Sequence, residues 1–307
     1  MKVAVTGVNG FVGQHLVREL TSHGHAVIGI GLDSGAGRDI ADLMSDYVAV
    51  DLREQWPAVE CDGVIHLAAL SAVGPSFTDP QRYIESNSSP VTHLGEALLS
   101  KAGEIRIVVV STGAVYRGVE NFALDETAPI SPSSPYIVSK ILTEVQSAYY
   151  HQRGLGVLVM RPFNHIGPGQ GAGFLLPDLV SGVANWMQTG APMKVGNLDT
   201  RRDYTDVRDV VRAYRLALEA PDPTANVLNV CSGKSVSGRE LLEALCDVLV
   251  VDRPPNVEID QAKIRPSDPA AILGDNTAIR KTLGWQPVIP LRQTVRDVVE
   301  SLREAPG

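Results

Sequence analysis

Thr6-Gly7-Val8-Asn9-Gly10-Phe11-Val12-Gly13 is the stretch that decides how the rest of the chain is read. Before it, Lys2 to Thr6 has the pattern of a short buried strand. After it, Val12, Leu16, Val17 and Leu20 fall on one helical face. In such a strand–turn–helix, Gly7 permits the tight turn and Gly10 lets backbone N–H groups approach a pyrophosphate, while Gly13 allows close helix–strand packing. A plain βα turn is the alternative; the position directly after a strand and before an amphipathic helix favours the phosphate cradle.

Outward from that turn, strands are predicted at His25 to Ile30, Tyr47 to Val50, Gly63 to Leu67 and Arg106 to Ser111. In the last of these Ile107 to Val110 is apolar without a break, as in a strand buried on both faces. Helical stretches such as Val91 to Leu99 lie between them. The alternation predicts an α/β fold, a Rossmann-type doubly wound parallel sheet. After about Asn164 the texture changes, with Gly and Pro clustered in Gly167 to Gly173, Pro221 to Pro223 and Pro254 to Pro255. The expected division is an NAD(P)-binding domain over 1–164 and a smaller C-terminal, mainly substrate-binding lobe over 165–307, with about 196–225 returning to the first.

Composition bounds the function. The chain has 307 residues, 27 basic against 35 acidic, for a formal net charge of −8. That balance, without a Lys/Arg block, argues against a nucleic-acid partner, and any polyanionic ligand must be held by a local cluster of positive charge. Three cysteines, Cys61, Cys231 and Cys246, with no C-x-x-C spacing, point away from a disulfide framework or structural zinc and towards a reducing compartment. The N-terminal apolar stretch breaks at Gly7, Asn9 and Gly10, unlike a signal peptide, and no run approaches the ~20 apolar residues needed to span a bilayer. A soluble cytoplasmic protein with no membrane partner is expected. The histidines show no H-x-x-x-H or H-E-x-x-H spacing, so no metal is expected. His23 and His25, flanking Gly24, read as solvated, His66 as a core residue at a strand end, and His165 as lining a pocket without a catalytic role.

The second strand ends in Ile30-Gly31-Leu32-Asp33. An acid there binds the ribose 2′-OH of NAD, whereas a small residue with a nearby arginine accommodates the 2′-phosphate of NADP. Asp33 speaks for the first, Gly31 and Arg38 for the second, so NAD(H) and NADP(H) both stay open. Tyr136 and Lys140, spaced i, i+4 after Ser133-Ser134-Pro135, share a helical face. An ammonium beside a phenol stabilises the phenolate and draws its pKa down from about 10. Such a tyrosine exchanges a proton with a sugar oxygen while hydride moves at the same carbon. Thr112, at the end of the buried strand, is placed to hydrogen-bond that oxygen, or alternatively to satisfy local backbone.

Here the chain resembles a family. The turn Thr6 to Gly13, Ile65-His66-Leu67-Ala68-Ala69, Ser111-Thr112-Gly113-Ala114-Val115-Tyr116 and Tyr136-x-x-x-Lys140, in this order, resemble the extended short-chain dehydrogenase/reductases that act on nucleotide sugars. The resemblance covers essentially the whole chain. It implies catalysis by Thr112, Tyr136 and Lys140. It implies cofactor contacts from Gly7, Asn9, Gly10, Phe11, Val12, Gly13, Asp33, Arg38, Asp51, Leu52, Leu67, Ala68, Ala69 and Asn87, with Tyr136 and Lys140. Asp51 and Leu52 would lie by the adenine.

Arg161-Pro162-Phe163-Asn164-His165-Ile166-Gly167-Pro168-Gly169-Gln170 looks most like the GDP-4-keto-6-deoxy-mannose reductases of that family. Arg202 to Asp209, Asn229 to Gly233 and Arg265-Pro266-Ser267-Asp268 are similar to the same group. By that likeness Ser71, Thr112, Asn164, Arg202 and Arg265 would contact a nucleotide-diphosphate sugar, arginine forks suiting a diphosphate; each arginine could instead serve a surface ion pair.

Relatives that dehydrate nucleotide sugars carry Asp-Glu directly after the threonine, and decarboxylating relatives keep a glutamate there. This chain has Gly113 and Ala114, which move no proton. Two reactions remain: reduction of a C4 ketone, GDP-4-keto-6-deoxy-D-mannose to GDP-D-rhamnose, or C4 epimerisation of the UDP-glucose 4-epimerase kind. Ser71-Ala72-Val73-Gly74 stands where many epimerases have Lys-Ala-Val-Gly, and the missing lysine favours the reductase. Arg117 replaces the glycine usual after Val-Tyr. A non-catalytic NADP-binding sensor is a third reading, disfavoured by retention of Thr112, Tyr136 and Lys140. The resemblance also implies a homodimer through the Tyr–Lys helix, to which Tyr149 and Tyr150 could contribute.

Overall fold

A computed structural model describes residues 1–118, 122–221, 226–251, 254–264 and 269–304. Among these the strands are β1 (Lys2–Thr6), β2 (Ala26–Gly31), β3 (Asp46–Ala49), β4 (Gly63–His66), β5 (Arg106–Val110), β6 (Gly156–Pro162), β7 (Asn164–Ile166), β8 (Met193–Val195), β9 (Arg201–Asp206), β10 (Val227–Val230), β11 (Ser235–Ser237) and β12 (Val257–Ile259). The helices are α1 (Phe11–Ser22), α2 (Arg38–Ala41), α3 (Val73–Ser76), α4 (Pro80–Leu98), α5 (Pro135–Gln152), α6 (Leu175–Thr189), α7 (Val207–Glu219), α8 (Gly238–Leu249), α9 (Thr277–Leu283) and α10 (Leu291–Glu304). Arg265 and its neighbours Pro266, Ser267 and Asp268 lie outside the described residues, as does Pro223.

Seven parallel strands form the main sheet in the order β10-β6-β5-β4-β1-β2-β3. The chain winds outward from β1 through β2 to β3, then crosses to β4 and winds the other way. The strand order therefore reverses between β1 and β4, and the carboxyl ends of those strands open the crevice where α/β sheets take ligands. The doubly wound sheet is as expected. One core, on the α1 and α7 side, includes Val3, Val5, Leu16, Leu20, Tyr214 and Trp285. The core on the other side includes Ala4, Val64, Leu94, Ile107 and Tyr150. Past Asn164 a three-stranded sheet, β11-β9-β7, and the pair β12-β8 build a smaller unit whose core includes Leu176, Leu179, Leu241, Leu245 and Val298. The chain returns to the main sheet through α7, which packs on α1, and through β10, which lies past residue 225.

Predicted and observed strands agree within a residue at each end, but α4 begins eleven residues before Val91. Proline starts it at Pro80 and interrupts it at Pro90, where the missing N–H costs a ladder bond. Tertiary packing overrides the break: α5 lies along α4, and Thr143 Oγ1 and Gln146 Nε2 donate to the carbonyls of Asn87 and Ser88. Ser134 caps α5 by accepting from the Ile137 N–H, with Pro135 following at the first helical position. His25 differs from expectation. Its side chain is buried under the end of α7, with Nε2 on Glu219 Oε1 at 2.9 Å.

Candidate functional site

The crevice between β1 and β4 is built on Thr6. Its Oγ1 accepts from the N–H groups of Leu67 and Ala68, each at 3.0 Å, and sits 2.9 Å from His66 Nδ1. With its acceptor capacity taken by two amides, the hydroxyl donates to His66, which fixes that imidazole as the Nε2–H tautomer. Burial, and then the charge of Lys140, hold His66 down to about 3, so it is neutral. Gly7 follows in a left-handed conformation, φ 73°, against the Ala68 backbone. A Cβ on Gly13 would lie 2.2 Å from the Gly7 carbonyl oxygen and 2.7 Å from Val8 Cα. Gly10 is the cap residue before α1, and no side chain caps the N–H groups of the helix's first turn. Those groups, at the positive end of the helix, are a fit for a pyrophosphate.

Asn9 reaches across to the loop after β2. Its Nδ2 donates to Asp33 Oδ2 at 2.7 Å and to the Gly35 carbonyl, and its Oδ1 accepts from the Gly37 N–H. Tyr47 donates to the Asp33 carbonyl. Asp33 is thus drawn to the rim of the glycine turn, while Arg38 opens α2 and is exposed. Phe11 stacks on His165 of β7, centroids 6.1 Å apart, which ties the turn to the smaller unit. The Val12 side chain packs on the α1-side core, while its N–H belongs to the uncapped first turn of α1. Asp51 is bound by the Arg53 guanidinium, which lowers its carboxyl pKa, and Leu52 is buried in the core.

Asn87 is directed at the protein itself. Its amide clamps both the N–H and C=O of Leu70 and donates to Ser139 on α5 at 2.8 Å. Tyr83 Oη holds the Ala72 carbonyl at 2.6 Å. Ser71 is therefore exposed on a loop pinned on both sides, following the Leu67-Ala68-Ala69 edge.

Thr112, Tyr136 and Lys140 come together above β5. Thr112 Oγ1 accepts from the Ala114 N–H at 3.1 Å, the local role weighed above, and also hydrogen-bonds Tyr136, which draws the phenol down. Burial outweighs that bond, so the phenol is raised. This differs from the expectation that Lys140 depresses it. The Lys140 ammonium is itself desolvated to about 8, and it donates to the Val110 carbonyl at 2.9 Å. Gly113 lies flat against Phe163, where a Cβ would meet the ring at 2.6 Å.

The residues expected to hold substrate lie on the smaller unit. Asn164 is exposed on β7 and pairs in register with Tyr204 of β9. Arg202 of β9 is buried, and its Nη1 donates to the carbonyls of Arg201 and Pro269. The sequence reading missed a buried chain of partners behind the triad. Glu144 takes Ser111 and Arg161, Arg161 reaches Tyr116 Oη, and Tyr116 donates to Asn229 Oδ1 at 2.6 Å. The only local signal for it was an acid at i+4 from Lys140.

The family model for GDP-mannose 4,6 dehydratase matches residues 4–298. The GDP-6-deoxy-D-mannose reductase of Pseudomonas aeruginosa is 34% identical over 304 residues, covering 97% of this chain and 96% of that protein. A UDP-glucose 4-epimerase of Mycolicibacterium smegmatis is 30% identical over 320 residues, covering 99% of each. The solved structure of MoeE5 in complex with UDP-glucose and NAD superposes with a TM-score of 0.83 at 28% identity, covering 99% of both chains.

Proposed function

The chain belongs to the GDP-mannose 4,6 dehydratase family of nucleotide-sugar enzymes, and on that premise we propose that it reduces the C4 ketone of a nucleotide-linked 4-keto-6-deoxy sugar, GDP-4-keto-6-deoxy-D-mannose to GDP-D-rhamnose. The observation that carries the reading is Gly113-Ala114 beside an intact Thr112, Tyr136 and Lys140. The site keeps a proton donor for an alkoxide and lacks the acid–base pair for eliminating water. The 34% identity to a GDP-6-deoxy-D-mannose reductase supports it.

The residues that would hold the cofactor are the glycine turn with its uncapped helix end, Asn9 and Asp33 at the rim, and the Leu67-Ala68-Ala69 edge. A bound NADH or NADPH supplies hydride to the sugar C4. Tyr136, kept protonated by its burial, gives its proton to the C4 oxygen, so that ketone, hydride and proton balance to an alcohol. Thr112 orients that oxygen, and Lys140 holds positive charge beneath the developing alkoxide. Asn87, which clamps Leu70, acts as a positioning residue for the loop bearing Ser71. Asn164, Arg202 and Arg265 contact the nucleotide diphosphate.

The 1–164 part then holds the cofactor and the catalytic groups, and the 165–307 part mainly holds the nucleotide sugar, apart from α7 and β10, which belong with the main sheet. We place the enzyme in the cytoplasm, where Cys61, Cys231 and Cys246 stay reduced; all three are buried and unpaired. A homodimer forms through α5, whose exposed face carries Val138, Leu142, Val145 and Tyr149. Tyr150 takes no part, because it is buried between α5 and α4 with its hydroxyl on Glu96 and the Thr92 carbonyl.

C4 epimerisation is the second reading, favoured by the Ala72-Val73-Gly74 frame and by relatives such as the M. smegmatis epimerase. The deciding experiment is the rate of NADH and NADPH oxidation with GDP-4-keto-6-deoxy-mannose, using protein freed of bound nucleotide. Stoichiometric oxidation supports reduction, and the two rates rank the cofactors. No oxidation, with NAD recovered from the untreated protein, supports epimerisation.

A further inference from the structure

Behind the catalytic helix lies a buried ion pair that the proposed reaction does not use directly. Glu144 stands one turn after Lys140 on α5 and carries three hydrogen bonds: from the Ser111 hydroxyl and from Arg161 Nε (2.9 Å) and Nη2 (2.6 Å). Both side chains of the pair are about nine-tenths buried, at 10% and 8% exposure. Arg161 continues away from Lys140. Its guanidinium lies over the Tyr116 ring, 4.9 Å from the centroid, and donates to Tyr116 Oη at 2.8 Å. Tyr116 passes the connection to Asn229, whose side chain donates to the Leu124 and Asp275 carbonyls and whose backbone N–H donates to Glu126 Oε1.

Two consequences follow from this placement. Ser111 and Tyr116 bracket Thr112, so the pair braces both ends of the segment that presents it. The pair is also an oriented dipole with its negative end towards Lys140 and its positive end away. Breaking a buried pair costs more than the pair itself contributes, since an unpaired charge stays behind. Here that charge would be felt by the ammonium.

We propose that Glu144, gripped by Arg161, is a positioning residue of the catalytic helix, which keeps the Lys140 ammonium charged and braces the Ser111–Tyr116 segment around Thr112. The proposal rests on the reduction argued above for its kinetic readout. The titratable and charged groups acting on Lys140 are Glu144 on its own helix, His66 from β4, and Arg161 from β6 through Glu144, while Tyr83 of α4 and Tyr214 of α7 act on Tyr136. β5 contributes the Val110 carbonyl, and neither α3 nor the turn Gly113–Val115 carries a titratable side chain. His66 stays neutral and Tyr136 stays protonated. The charge that opposes the desolvation of Lys140 is therefore Glu144.

The test compares Glu144→Gln with Arg161→Met in the full chain. In Glu144→Gln the bare arginine moves the alkaline limb of kcat down by about one pH unit, and in Arg161→Met the bare carboxylate moves it up by a similar amount. Glu144→Asp restores the original limb. The double variant leaves no charge unpaired, is the least exposed to misfolding, and titrates between the two. Loss of activity in both single variants with the limb unmoved, or moved the same way, overturns the proposal and leaves a purely structural pair. A substrate-free readout separates this from the reaction itself: the 13Cε resonance of Lys140 in lysine-labelled protein, assigned by its loss in Lys140→Arg. Opposite displacements of that titration without any sugar turnover would uphold Glu144 and reject the reductase reading. Turnover with an unmoved titration would do the reverse.

Discussion

Acid should weaken this fold through His66. The imidazole sits at the end of β4 with Nδ1 accepting from Thr6, and burial beside the Lys140 charge holds it at about 3, against 6.5 in an open chain. Between those values the unfolded chain binds a proton that the folded chain does not. Stability from this group is therefore complete above about pH 6.5 and is lost as pH falls towards 3. The difference of about 3.5 pH units corresponds to about 5 kcal/mol at most, a large part of the ~5–15 kcal/mol that holds a typical domain together. The structural reason is specific. A proton on Nδ1 turns an acceptor into a donor facing a hydroxyl whose acceptor capacity already serves Leu67 and Ala68. Urea unfolding of the wild type and of His66→Gln, from pH 7.5 down to 4.5, isolates the term, because glutamine can still meet Thr6 and does not titrate. The wild type should lose about 3 kcal/mol more than the variant over that range. Cofactor affinity should fall alongside, since Thr6 holds the Leu67–Ala68 edge. Stability curves that run parallel would refute the reasoning.

Three further outcomes follow from the site. Tyr136→Phe removes the proton donor and keeps the buried ring, so turnover should fall about 100-fold or more while cofactor affinity is retained, as read by stopped-flow rates beside a fluorescence titration. Gly13→Ala drives a Cβ into the Gly7 carbonyl and the Val8 backbone, atoms that cannot rotate away. It should destabilise the protein by about 1–3 kcal/mol and weaken cofactor binding, seen by calorimetry and titration. Val145→Asp places a charge on the exposed α5 face, where Val145 is 60% exposed. Light scattering should then report monomers, and the thermal midpoint should no longer depend on protein concentration.

What was legible in the sequence is what short stretches encode alone. β5 and its neighbours announce themselves because strands covered on both faces read as unbroken apolar runs. The glycine turn does so because Gly10 and Gly13 answer to contacts with Gly7 and Val8, within the turn itself. The capped start of α5, which carries Tyr136 and Lys140, was equally plain. The supports of the site were not legible, since their partners lie far apart in the chain: Thr6 and His66 are 60 residues apart and Tyr116 and Asn229 are 113 apart. Asn87 shows the consequence. The family likeness marks it as a cofactor contact, and nothing in the sequence shows that its amide also grips Leu70 and Ser139. Tyr149 and Tyr150 read alike in sequence and separate only when α4 is laid beside α5, one ring facing out and the other packed against Gly95.

Position 113 joins the two kinds of information. From the sequence, its glycine says only that a proton-transfer group is missing after Thr112. In the fold the same position lies against the Phe163 ring, which belongs to the segment carrying Asn164 and His165. A carboxylate there would have to displace that aromatic ring, and with it the strand that begins the smaller unit. On the proposed reading packing and chemistry therefore point the same way, and restoring Asp-Glu at 113 and 114 should disturb the Phe163–Asn164 segment before it confers any new reaction.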